Sequence, residues 1–229
     1  MINFTFETFV EDATNKEALQ KCKALFDSTH KPTALWIYGP SGCGKTHLLK
    51  AVYNSWISSK NPKVNGVYTN AEDLNTLFYK TFKGEGDEFE KLQESSFLIV
   101  DNLEHLKGMT INQMAFADLL HDISVKGKPV IVASECKPND LQDFKLFFNH
   151  ELDIVEVKKP GVKLKRTILN SFLEKNKLPI SEECKALIIK KSKNIPYLQG
   201  MLNYAKCFCS LPGFKVDEAW VKGYNCRKK

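Results

Sequence analysis

With 229 residues, 43% of them apolar and 26% charged, the chain carries enough apolar mass for one large domain, or for a core with a smaller satellite. No apolar run approaches the ~20 residues that cross a bilayer, and the start carries Glu7, Glu11 and Asp12 where a secretory leader is basic and then apolar, so neither is expected. The formal charge of +6 is unevenly spread: from Lys158 onward 17 Lys and Arg face 5 Asp and Glu, against 16 and 22 before it. A basic end suits an anionic partner such as nucleic acid or an acidic protein face, and equally a lysine-rich solvated surface. The seven cysteines lack metal-ligand spacing and form no disulfide framework, which suits reduced thiols and a cytoplasmic location.

In chain order, Phe4-Thr5-Phe6-Glu7-Thr8-Phe9-Val10 alternates large apolar and polar groups. A helix follows with Ala18, Leu19, Cys22, Leu25 and Phe26 at helical spacing and Thr14 or Asn15 as its cap. Lys31-Pro32 ends it. Thr33 to Tyr38 reads as a strand, Lys45 to about Ser59 as a helix, Val64 to Thr69 as a second strand and Ala71 to Phe82 as a helix. A short helix from Glu88 to Glu94 leads into the strand Phe97 to Asp101. Next come a helix (Ile111 to Val125), a strand (Pro129 to Ala133, then Ser134-Glu135) and a last strand (Asp153 to Val157). Five strands alternating with helices predict an α/β fold with a five-stranded parallel sheet flanked by helices over residues 1–158. Past Pro160-Gly161 only helical patterns remain: Lys163 to Asn176, Ser181 to Lys191, Pro196 to Cys209 and Val216 to Tyr224. Residues 159–229 are therefore expected to form a small α-helical domain, its boundary coinciding with the change of charge.

Two stretches carry chemistry. Gly39-Pro40-Ser41-Gly42-Cys43-Gly44-Lys45-Thr46 fits the phosphate-loop pattern G-x-x-x-x-G-K-[ST] at every fixed position, between a strand and a helix. Glycines let successive N–H groups turn toward phosphate oxygens, and the following helix adds its positive end. Lys45 is expected on the outer phosphates and Thr46 on Mg²⁺. The alternative, a glycine-rich turn without a ligand, does not explain the strand–loop–helix order. The second stretch, Phe97-Leu98-Ile99-Val100-Asp101, is a fully apolar strand ending in an acid about 55 residues after the loop. Asp101 there can hold Mg²⁺ through a water, beside the loop.

These segments resemble the AAA+ ATPases, and among them the DnaA group of replication initiators with its short relatives. The resemblance runs through Phe4–Val10 with Asn15, through Leu35–Leu49 including His47 after Thr46, and through Leu98–Leu106. It continues in Val130–Ser134 with Lys137-Pro138 and in Asn194–Leu202, so it spans nearly the whole chain. It implies an AAA+ core with a helical lid, ATP or ADP with Mg²⁺, and a nucleotide set that extends the loop by Phe9, Val10, Asn15 and His47. Lys45, Asp101, Asn102 and Ser134 would stand at the reaction centre, Ser134 as the sensor 1 residue. The departures imply slow turnover. Asn102 replaces the acid that polarises the attacking water, and an amide takes up no proton. Phe144 to Leu152 contains no arginine where the family places its finger, Phe148 standing in its place, and Pro196 replaces the sensor 2 arginine. Glu104 or Glu135 are the alternative bases.

The resemblance also sets expectations about partners. The roughly 20 residues after Ser210 are too few for a helix-turn-helix domain. A regulator of initiation similar to the Hda-type proteins would dock on a DnaA-type AAA+ protein as a monomer or hetero-complex, although Met1-Ile2-Asn3-Phe4 does not match their clamp-binding peptide. A helicase loader similar to the DnaC-type proteins would instead grip a replicative helicase or single-stranded DNA, with Lys80, Lys83 or the basic lid as non-specific contacts. A plain ATPase with a rewired site and a nucleotide-held scaffold are the remaining alternatives. Other eye-catching residues get a packing role: His105, His121 and His150 lack paired ligands, Trp36, Trp56 and Trp220 read as packing, Phe147-Phe148 as core or docking surface, and no aromatic–basic platform stands out.

Overall fold

The computed structural model describes residues 4–26, 34–58, 65–85, 88–141, 152–209 and 214–224. Its Cα proximities divide the chain into two compact units. One comprises Met1–Phe9, Asn15–Pro40 and Gly44–Lys158, and the other Val10–Thr14, Ser41–Cys43 and Lys159–Lys229.

The first unit is built on a parallel sheet. Its strands are β1 (Ala34–Tyr38), β2 (Gly66–Asn70), β3 (Phe97–Asp101), β4 (Val130–Ser134) and β5 (Leu152–Glu156), in the spatial order β2-β3-β4-β1-β5. β3 and β4 are buried along their whole length, as apolar runs covered on both faces must be. The intervening helices are α1 (Lys16–Ala24), α2 (Lys45–Ser58), α3 (Ala71–Phe82), α4 (Glu88–Glu94) and α5 (Thr110–Val125), with a 3-10 turn at Leu103–Leu106. Trp36, Phe78, Leu98, Val100, Leu103, Phe116, Leu120 and Val132 belong to one buried cluster, and the Trp36 indole N–H finds Cys136 O at 3.1 Å. The five-stranded parallel sheet and its flanking helices are thus those expected.

Boundaries differ by a residue or two, for local reasons. β2 and α3 share no loop: Asn70 closes the strand and caps the helix, its side chain accepting from Asp73 N at 2.9 Å and donating to Asp73 Oδ2 at 2.8 Å. At α1, Asn15 holds the cap position but its side chain makes no cap bond, and Thr14 donates from N–H and hydroxyl to Asp12 Oδ1 instead. A Lys21–Asp153 ion pair of 2.7 Å ties α1 to β5.

The second unit contains α6 (Val162–Asn176), α7 (Glu182–Lys191), α8 (Ile195–Cys209) and α9 (Glu218–Gly223). Leu169, Leu173, Ile188, Leu198, Met201, Leu202 and Val221 form its core. Ser181 caps α7 and Asp217 caps α9, which shortens both relative to the sequence pattern. Among the described residues no helix is long and apolar enough to cross a membrane.

Candidate nucleotide site

The loop leaves β1 at Gly39, whose N–H donates to Ser134 O at 3.2 Å, so β1 and β4 are fastened together at their carboxyl ends. In open parallel sheets ligands bind in the crevice beyond these ends. Gly42 and Gly44 have φ of 71° and 110°, where a side chain is strained. A Cβ on Gly44 would lie 3.2 Å from the ring of Phe9, closer than a side-chain carbon ordinarily packs. α2 begins at Lys45, and its first amides have no intrahelical partner to donate to. Lys45 is 6% exposed, and its ammonium donates to Gly39 O at 2.7 Å and Pro40 O at 3.2 Å, within the turn of its own loop. Thr46 is exposed at the second helical position, and Cys43 is buried.

At the end of β3, Asp101 is 4% exposed and held from two directions. Asn102 N–H donates to Oδ1 and the Tyr68 hydroxyl to Oδ2, each at 2.9 Å. Burial and the Asp101 charge push the Tyr68 phenol above its ordinary value, so it remains a donor. An ionised carboxylate has about four acceptor positions; two donors leave others for a metal or its water. Asn102 itself is exposed and left-handed at φ 56°, a conformation asparagine tolerates. Glu104 spends one carboxylate oxygen on Glu135 N–H at 2.9 Å, bridging the exits of β3 and β4. Ser134 is fully buried; its hydroxyl oxygen accepts from Cys136 N at 3.2 Å and lies 3.2 Å from Cys136 Sγ.

His47 faces the N-terminal segment. Its Nε2 donates to Thr5 O at 3.0 Å and lies 3.2 Å from Thr8 Oγ1, and its ring meets Phe4 and Phe9 edge-on at 5.1 and 5.2 Å. Burial lowers its pKa, against a smaller opposite pull from the bond to Thr5 O. Asn54 adds a bond to Phe4 O at 2.8 Å. Together these contacts fasten the segment to α2 and bring Phe9 against the loop. Val10 is half-buried, and Asn15 is buried at the start of α1, where its carbonyl accepts from Leu19 N.

Several sequence expectations stand elsewhere. Residues 142–151, with Phe147, Phe148 and the finger position, lie outside the described residues. Pro196 is the second residue of α8, a helix whose first turn Asn194 caps by accepting from Tyr197 N at 2.9 Å. His105 pairs with Glu72 at 2.7 Å, and the described residues contain no group of three metal-ligating side chains. Tyr68 and the Glu104–Glu135 bridge went unrecognised in the sequence. A polar-tipped aromatic two positions before the end of a strand flanking the acid-ended strand was the available signal.

The residues fit a magnesium nucleotide: a glycine turn with no room for side chains, an ammonium drawn into it, a free threonine hydroxyl and a buried carboxylate. Residues 2–154 match the family model of the bacterial DnaA ATPase domain. The chromosomal replication initiator protein DnaA of Bifidobacterium animalis is 27% identical over 95% of this chain and 40% of its own length. Domain III of the Thermotoga maritima replication initiation protein DnaA superposes with a TM-score of 0.83 at 23% identity, covering 95% of this chain and 93% of that one. The AMPPCP-bound DnaA of Aquifex aeolicus gives a TM-score of 0.74 at 24% identity, over 89% and 65%. The chain spans less than half the length of the curated relatives it matches.

Proposed function

This chain belongs to the bacterial DnaA ATPase-domain family, and on that premise we propose that it is a nucleotide-binding AAA+ module of replication initiation. It binds ATP or ADP with Mg²⁺, and occupancy of the site, with weak or no hydrolysis, governs its contacts with other replication proteins. The observation that carries this reading is that two buried charged groups, Lys45 and Asp101, stand with the glycine turn at the carboxyl ends of strands of one parallel sheet. Among the described residues each keeps neutral hydrogen-bond partners and no opposite charge, which suits a ligand and metal that bring charges of their own. Gly39–Thr46 would receive the phosphates, Lys45 exchanging its loop carbonyls for phosphate oxygens, while Thr46 and Asp101 would hold the metal and its water. The bound metal nucleotide supplies the charge that these groups are set to match.

Slow turnover rests on side chains. Asn102 cannot take a proton from water, which leaves Glu104, one of whose oxygens bonds a backbone amide, and Glu135 as the alternative bases. Calorimetric titration with ATP and ADP, with and without Mg²⁺, tests the binding: micromolar affinity is expected, and no heat at millimolar nucleotide ends the reading. Steady-state hydrolysis is expected far below the ~10 s⁻¹ typical of enzymes. Nucleotide-dependent pull-down of a DnaA-type protein supports a regulator. Capture of a replicative helicase, together with salt-sensitive binding of single-stranded DNA, supports a loader instead.

A further inference from the structure

We propose that Tyr68 is a positioning residue for Asp101 that sets how strongly magnesium enhances nucleotide binding; this rests on the nucleotide-binding reading above. The parallel register pairs Tyr68 with Ile99 and Asn70 with Asp101, so Tyr68 lies diagonally behind the acid, on the adjacent strand. Alternate strand residues share a face, which directs Tyr68 and Asp101 to the same side of the sheet, within reach of a long aromatic. Its hydroxyl meets Oδ2 at 2.9 Å while Asn102 N–H meets Oδ1 at the same distance. One donor comes from the neighbouring strand and the other from the chain just past β3, so the carboxylate cannot rotate without breaking a bond. The Tyr68 ring is itself fixed, edge-on to Tyr53 at 5.8 Å and with the Lys50 ammonium 5.9 Å from its centroid. A metal-binding carboxylate is useful only in one orientation, and groups that orient such ligands control metal affinity about as strongly as many direct contacts do.

The test is Tyr68→Phe, which keeps the ring and removes only the hydroxyl. ATP affinity is measured by calorimetry in EDTA and across a Mg²⁺ series, beside the melting temperature without nucleotide. In EDTA the variant should match the parent within about twofold, whereas the gain in affinity on adding Mg²⁺ should fall about tenfold. On an Asp101→Asn background the same substitution should change nothing further. An unchanged magnesium series overturns the proposal, as does an equal loss with and without Mg²⁺, which marks a packing role. If the parent protein gains no affinity from Mg²⁺, the magnesium part of the underlying reading fails, and if it binds no ATP in either condition the nucleotide reading itself fails, results distinct from both.

Discussion

Two buried lysines, one in each unit, show how the same group serves different ends. Lys45 and Lys165 are 6% and 9% exposed, and each donates to backbone carbonyls. Lys165 reaches Ser192 O just past the end of α7, while the Ser192 hydroxyl turns back to Ile188 O at 2.6 Å. Those partners belong to a helix terminus whose carbonyls need donors in any circumstances. Burial and the Lys159 charge lower the Lys165 pKa. The partners of Lys45 belong to a glycine turn, and in the proposed function they are exchanged for a ligand's oxygens. Burial of a charge therefore marks a site only where its neighbours offer the charge something to give up.

The sharpest break of this comparison is Lys45→Ala. It should abolish the melting shift that ATP produces, a loss of at least about a hundredfold in affinity, and leave the nucleotide-free melting temperature nearly unchanged. Lys165→Ala should do the reverse, lowering unfolding free energy by about 1–3 kcal/mol in denaturant titration through an unsatisfied helix-end carbonyl, with ATP affinity kept. Equal effects of the two on binding would dissolve the distinction. Asn102→Asp asks whether the site lacks only a base: ATP turnover should rise, by up to about 10²-fold, and no rise would assign the defect to other missing groups.

The smallest effect concerns His47. Its folded pKa lies below the ordinary value, so between the two the unfolded chain holds the extra proton and acid favours unfolding. Stability should be complete above about pH 7 and decline as pH falls through 6.5 toward the lowered folded value. His47→Gln should flatten that part of the melting curve.

Much of the fold was legible because its signals are local. The apolar run Phe97–Val100 and the phosphate loop declare themselves within a few residues, and the helical end declares itself by the absence of strands. Tyr68 was hidden because strand register is not local: nothing within Val67-Tyr68-Thr69 states that it lies diagonal to Asp101. The surroundings of His47 are non-local in the same way: the direction of its ring is decided by Thr5, Phe4 and Phe9, some 40 residues earlier in sequence. Lys165 and the exposed lysines of the same unit look alike in sequence, and only packing separates them.

The shared residue at Asn70 has a mechanical consequence. With no linker between β2 and α3, the end of the strand sets the heading of the helix directly. α3 extends about 18 Å from that pivot, so a tilt of about 5° swings its tip by roughly 1.5 Å. That tip carries Tyr79 and Phe82, 61% and 65% exposed. The strand that steadies Asp101 thus also aims a helix that ends in two solvent-facing aromatic rings.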